Sequence, residues 1–137
     1  MRSARLVLLA LALGCNPFDN LGPSEVAGVY ELVAVDNQLP YTHVIDGVAT
    51  VTVTGSTLTP EPGGTGQLVL RYAEPPQPLI GEVDWVVHNG SVDLTFHAEA
   101  VTDLHPNSSW DDGFLRVINS DVNDLLPGDV YLYRRQS

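Results

Sequence analysis

An all-β fold is what this sequence predicts: a small antiparallel, mostly up-and-down β-barrel of about eight strands, with a β-sandwich as the alternative. Three observations carry it. From Glu25 onward apolar residues recur at every second position rather than with helical spacing. At Asn89-Gly90 a two-residue turn signal stands between two alternating runs, and turn and runs agree on one register. The remaining runs are short, evenly spaced and bounded by turn residues, with no room for crossover helices.

In chain order, residues 16–24 ("NPFDNLGPS") hold two Pro and two Asn without periodicity and read as a tether. Residues 26–35 are rich in β-branched and aromatic side chains and form the first strand, closed by a turn at Asp36-Asn37. A weaker strand spans 41–45 before Asp46-Gly47. In 49–59, Ala49, Val51 and Val53 alternate with Thr50, Thr52 and Thr54. Glu61-Pro62-Gly63-Gly64 turns the chain into 66–74, where Leu68, Leu70 and Tyr72 share a face. Residues 75–78 are a Pro-rich connection.

The hairpin over 81–98 is the sharpest element. Val83, Trp85 and Val87 face one way, and Val92, Leu94, Phe96 and Ala98 do the same beyond the turn. A type I′ turn needs positive φ at both central residues, which Asn89 and Gly90 supply. Pairing His88 with Ser91 then sets Val87 beside Val92, Trp85 beside Leu94 and Val83 beside Phe96, three apolar pairs on one face. Residues 102–113 read as a polar loop with Trp110 exposed. Residues 113–118 and 129–135 are the last strands, with a short helical turn at 120–126 capped by Ser120 or Asp121.

The N-terminus carries an address. Arg2 and Arg5 precede an aliphatic run over 6–13, about half the roughly 20 residues that a spanning helix needs. A basic start, a short apolar core and small residues before a cut describe a secretory signal peptide over 1–14. Ala12-Leu13-Gly14-Cys15 resembles the lipobox of bacterial lipoproteins, in which the peptidase cuts before a cysteine already bearing diacylglycerol. The alternatives are an ordinary signal whose Cys15 lies near the cut, or a soluble protein with a buried N-terminal strand. A lone thiol in an exported chain has no disulfide partner, and lipidation removes that liability. Two or more acyl chains of the palmitate type on Cys15 anchor stably where one holds only marginally. The expected place is the bacterial cell envelope, lipid-anchored and extracytoplasmic (the outer membrane where there is one), with Cys15 to Ser24 as the lipidated tether and 25–137 as one domain.

Removing 14 of 137 residues leaves 123, with four Arg, no Lys and 17 acids, a net charge of −13. That is one core's worth of chain. Its surface repels nucleic acid, so that class of partner is excluded, and it repels anionic headgroups. The partners expected are the membrane through Cys15, a small hydrophobic ligand, or a protein that the sequence does not identify.

The segments 28–41 ("GVYELVAVDNQLPY") and 53–72 ("VTGSTLTPEPGGTGQLVLRY"), with the terminal "VYLYRR", together resemble small bacterial lipocalin-like lipoproteins. The resemblance implies a barrel opening on a Gly-X-aromatic step, here Gly28-Val29-Tyr30, where the lipocalin signature has Trp. It also implies that an Arg near the end of the last strand, Arg134 or Arg135, closes the barrel over that ring by a cation–π contact.

Catalytic patterns give little. No Ser stands in a Gly-X-Ser-X-Gly elbow, and the one cysteine is expected to be acylated. His88 and His97 lie on the polar face of the hairpin but far apart along it. His97 and Glu99 put two ligand types on one face with His105 after them, short of the three or four convergent ligands that zinc requires. Glu82/Asp84 and Asp111-Asp112 read as surface carboxylates. The expectation is no enzyme, no metal and no cofactor. Tyr30, Trp85 and Phe96 point inward, either filling the core or lining a small apolar cavity for a hydrophobic ligand. The alternative function is a surface β-domain that binds a protein partner or inhibits a secreted enzyme, through 74–78 or through Trp110.

Overall fold

The alternating runs pair edge to edge in chain order and close into a wall. The computed structural model describes residues 22–136 apart from 46, 48, 75, 89, 90, 99, 100 and 120–125. The signal peptide, Cys15, most of the tether, the Asn89-Gly90 turn, Glu99 and the 120–126 helical turn up to its last residue therefore lie outside the described residues. The elements are α1 (Pro23–Val26), β1 (Tyr30–Val35), β2 (Tyr41–Ile45), β3 (Ala49–Pro60), β4 (Thr65–Glu74), β5 (Leu79–His88), β6 (Ser91–Ala98), β7 (Val101–Leu104), β8 (Asn107–Asp111), β9 (Phe114–Ile118) and β10 (Val130–Arg135).

The strands form a closed, eight-stranded, antiparallel up-and-down β-barrel, running β1-β3-β4-β5-β6-β8-β9-β10 and back to β1. Two strands continue existing staves. β7 and β8 pair with successive stretches of β6, Phe96 with Leu104 and then Asp93 with Asn107, so 101–111 is one stave interrupted at His105-Pro106. Pro106 has no N–H to give a ladder. β2 follows β1 along β3: Tyr30 and Glu31 pair with Leu58 and Thr57, and Tyr41–Ile45 pair with 53–49. Between them residues 36–40 leave the wall in a turn, with positive φ at Asp36 (48°) and Asn37 (67°). The Asp36 carboxylate accepts the N–H groups of Asp129 (3.1 Å) and Val130 (2.9 Å) and ties this turn to β10.

The hairpin of β5 and β6 has the register that its turn and pattern specify: His88 opposite Ser91, Val87 opposite Val92, Trp85 opposite Leu94, Val83 opposite Phe96 and Glu82 opposite His97. Every second residue of β5 is buried from Leu79 to Trp85. Their neighbours Tyr30, Leu58, Leu68, Leu70, Leu115, Tyr131 and Tyr133 complete one continuous core. Each large apolar side chain so buried contributes roughly 1.5–3 kcal/mol before the entropy of ordering it is counted.

The 102–113 segment corrects the sequence reading. It is barrel wall, not a protruding loop, and Trp110 is half-buried against the core. Leu104, Ser108 and Trp110 keep period-two spacing, but Ser108 occupies an inward position, where its hydroxyl donates to the Val92 carbonyl. A polar residue satisfied inside the wall hides the strand from a hydrophobic pattern.

Candidate functional site

The barrel has two unlike ends, and the candidate residues distribute between them. At the base, α1 crosses under the strands, its first turn held by the Glu25 carboxylate on the Gly22 N–H (3.0 Å). The Tyr30 ring is fully buried, and its hydroxyl donates to the Val26 carbonyl while accepting the Trp110 indole N–H at 2.9 Å. Burial pushes the Tyr30 phenol above its ordinary value, and the Trp110 bond and Arg135 charge oppose that shift. Arg135 closes the base with its guanidinium on the carbonyls of Glu25 (2.7 Å) and Ala27. Gly28 permits this crossing: its φ is +151°, and a Cβ there would meet Arg135 Nε at 2.9 Å. Arg134, one residue earlier, points to solvent.

Trp85 also serves this end. Its indole N–H reaches the carbonyls of Glu61 and Thr65, each at 2.9 Å, and so pins the β3–β4 turn to β5. The strands around Trp85 thus meet a turn that closes over the barrel end rather than opening it.

The interior void lies towards the other end. Its volume is about 40 Å³, and its walls include Val83, Leu94, Phe96, Leu104, Leu126 and Tyr131. Of the three aromatic candidates, Phe96 borders this void, while Tyr30 and Trp85 are packed away from it. The space admits a few atoms, whereas drug-sized ligands occupy about 300–1,000 Å³. The polar groups at its margin bond to protein: Asn119 Nδ2 donates to the carbonyls of Leu126 (2.8 Å) and Gly128 (3.2 Å), and the Tyr131 hydroxyl donates to the Pro127 carbonyl.

Beside the void stands a cluster that the sequence reading missed. Ser56, fully buried, donates to the Val69 carbonyl (2.8 Å) and shares a 2.9 Å hydrogen bond with the Tyr133 hydroxyl. Tyr72, Tyr131 and Tyr133 are all held well above the ordinary phenol range, chiefly by burial. The signal was present, since Tyr131 and Tyr133 occupy alternate positions of the last strand. A phenol whose folded-state value is raised stabilises the fold fully below the unfolded value near 10. That stability is lost as the pH climbs from there towards the folded-state value. The protein is therefore expected to unfold cooperatively above pH ~10, the three phenols ionising with unfolding rather than before it. Phenolate absorbance followed alongside far-ultraviolet circular dichroism checks this. Early, non-cooperative titration of all five tyrosines contradicts it.

The outer wall carries the histidines. His97 Nε2 lies 2.9 Å from Asp84 Oδ2, and His105 Nδ1 lies 3.3 Å from the Thr95 hydroxyl. Among the described residues no three His, Cys, Asp or Glu side chains converge to hold a metal ion. Glu31, Thr57 and Arg71 form an exposed network, with Arg71 Nη2 3.3 Å from Glu31 Oε2. An exposed pair of this kind contributes at most about 1 kcal/mol. Compared with known proteins, the chain matches no family model, no curated protein and no solved structure.

Proposed function

We propose that this is a lipid-anchored, extracytoplasmic, lipocalin-like protein of the bacterial envelope, non-enzymatic, that binds partners through its outer surface and not in a calyx. The observation that carries the reading is the filled barrel, whose void of about 40 Å³ leaves no space for a fatty acid. The lipocalin-like part is supported by the closed up-and-down barrel, by Gly28-Val29-Tyr30 opening it and by Arg135 closing its base. The anchor rests on Cys15 after the short apolar run. Six residues separate Cys15 from Gly22, and the seven steps between them reach at most about 25 Å, which holds the base of the barrel towards the lipid.

A small hydrophobic ligand is the second reading, favoured by the apolar walls of the void. Titration with fatty acids separates the two. With the methyl resonances of Leu94, Leu104 and Leu126 on the wall of the void as reporters, the response is expected to stay flat, and a saturable change would favour the ligand reading. Cys15→Ser tests the anchor separately. The variant is expected to accumulate as unprocessed or soluble chain, and an unmodified mature Cys15 found by mass spectrometry would remove the lipoprotein reading.

A further inference from the structure

β2 prolongs the β1 stave along β3 and stands outside the closed ring of eight strands. It stands at the end of the strand order, with β3 as its one strand neighbour among the described residues. Exposed strand edges are templates for another chain, and proteins ordinarily guard them with charge. Here the guard is missing. Across positions 37–60 the only charged residue is Asp46, in a chain with 17 acids. Within β2, Val44 is 57% exposed. Thr42 is also exposed and bonds sideways to Thr52 (3.1 Å between hydroxyls). Tyr41 and Ile45 pack on the core and fix the strand in place.

The surroundings say what the edge would take. Carboxylates stand at the Tyr41 end of this uncharged strand. Asp36 and Asp129 act on the Tyr41 phenol, adding to the upward push from burial. Asp46 follows Ile45 directly in sequence. A second copy of the chain would bring the same carboxylates to the same ends. We infer that β2 is the docking edge of the surface-binding reading, on which this rests, and that it receives an extended segment of another protein. That segment is uncharged over about five residues, adds to β3–β2 as a further strand, and carries Lys or Arg at its flanks. The base faces the lipid in that reading, so β2, at the opposite end, is turned towards partners.

The test uses the domain with three synthetic peptides: Lys-Val-Thr-Val-Thr-Val-Lys, the same sequence with Glu at both ends, and the Lys-flanked sequence with Pro at its centre. The Lys-flanked peptide is expected to bind, shifting the amide resonances of 41–45 and leaving those of β9 in place. The Glu-flanked peptide is expected to bind about tenfold more weakly at low salt, through slower association. The Pro-centred one is expected not to bind, because it cannot complete the ladder. Val44→Lys, a change on an exposed side chain, is expected to abolish binding with the circular dichroism unchanged. Equal binding of all three peptides, shifts away from β2, no binding at all, or a dimer by light scattering that Val44→Lys dissolves would each overturn the inference. The fatty-acid titration tells the two failures apart: a flat result beside a failed β2 removes this site alone, and a saturable one removes the surface reading.

Discussion

Trp85→Ala is expected to cost about 3–5 kcal/mol in a urea unfolding titration, the range for deleting a large buried aromatic. Against a typical total of about 5–15 kcal/mol, that is a third or more of the fold's stability. Burial dominates the loss. Trp85 is 5% exposed, and the carbonyls it serves keep other donors: Thr65 accepts from the Glu61 N–H (2.8 Å) and Glu61 from the Gly64 N–H (3.1 Å). Trp85→Phe, which keeps most of the ring and loses the indole N–H, is therefore expected to cost only about 1 kcal/mol. Equal losses for the two variants would mean that the hydrogen bonds to the β3–β4 turn, and not the packing, hold this end.

Gly81→Ala is expected to cost about 3 kcal/mol or more, at the upper end of overpacking effects. Gly81 lies in β5 beneath the Phe96 ring. A Cβ there would stand 2.4 Å from the His97 carbonyl oxygen and 2.4 Å from Phe96 Cε1. The ring could swing away only into other core side chains, and the carbonyl belongs to the paired strand, so neither neighbour yields cheaply. Gly63→Ala provides the comparison, since nothing lies within 4 Å of a Cβ at that position. It is expected to change stability by no more than about 0.5 kcal/mol. A mild Gly81→Ala, close to Gly63→Ala in denaturation midpoint, would show that β5 and β6 are not packed as closely as described.

The β5–β6 hairpin was legible because two independent local signals coincide in it: the turn residues fix the strand ends, and six apolar side chains then fall on one face. The closing strand was legible as a short run, 129–135, after the Pro127-Gly128 turn, whereas the burial of Tyr131 and Tyr133 beside Ser56 was not. The stave at 101–111 was hidden by its own chemistry, since Pro106 breaks the ladder and Ser108 fills an inward place by bonding to the Val92 carbonyl. For the same reason Trp110 was placed in solvent, although its indole finds the Tyr30 hydroxyl 80 residues away in sequence. No local pattern encodes such a contact. Arg134 and Arg135 were indistinguishable by spacing, and what selects Arg135 is the pair of carbonyls, of Glu25 and Ala27, at the base. How little space the barrel holds was likewise invisible, because it depends on how side chains from several strands interdigitate.

The central claim is that side chains occupy the space a ligand would need. Its most direct test compares the wild-type protein with Phe96→Ala, which deletes a wall of the void, by methyl-resolved NMR with benzene as the added probe. A dry cavity of about 150 Å³ is the size that takes benzene. The wild type, with about 40 Å³, is expected to show no saturable shift at Leu94, Leu104 or Leu126, and Phe96→Ala is expected to show one. Saturable shifts of those methyl groups in the wild type would contradict the account and return the barrel interior to the role of binding site.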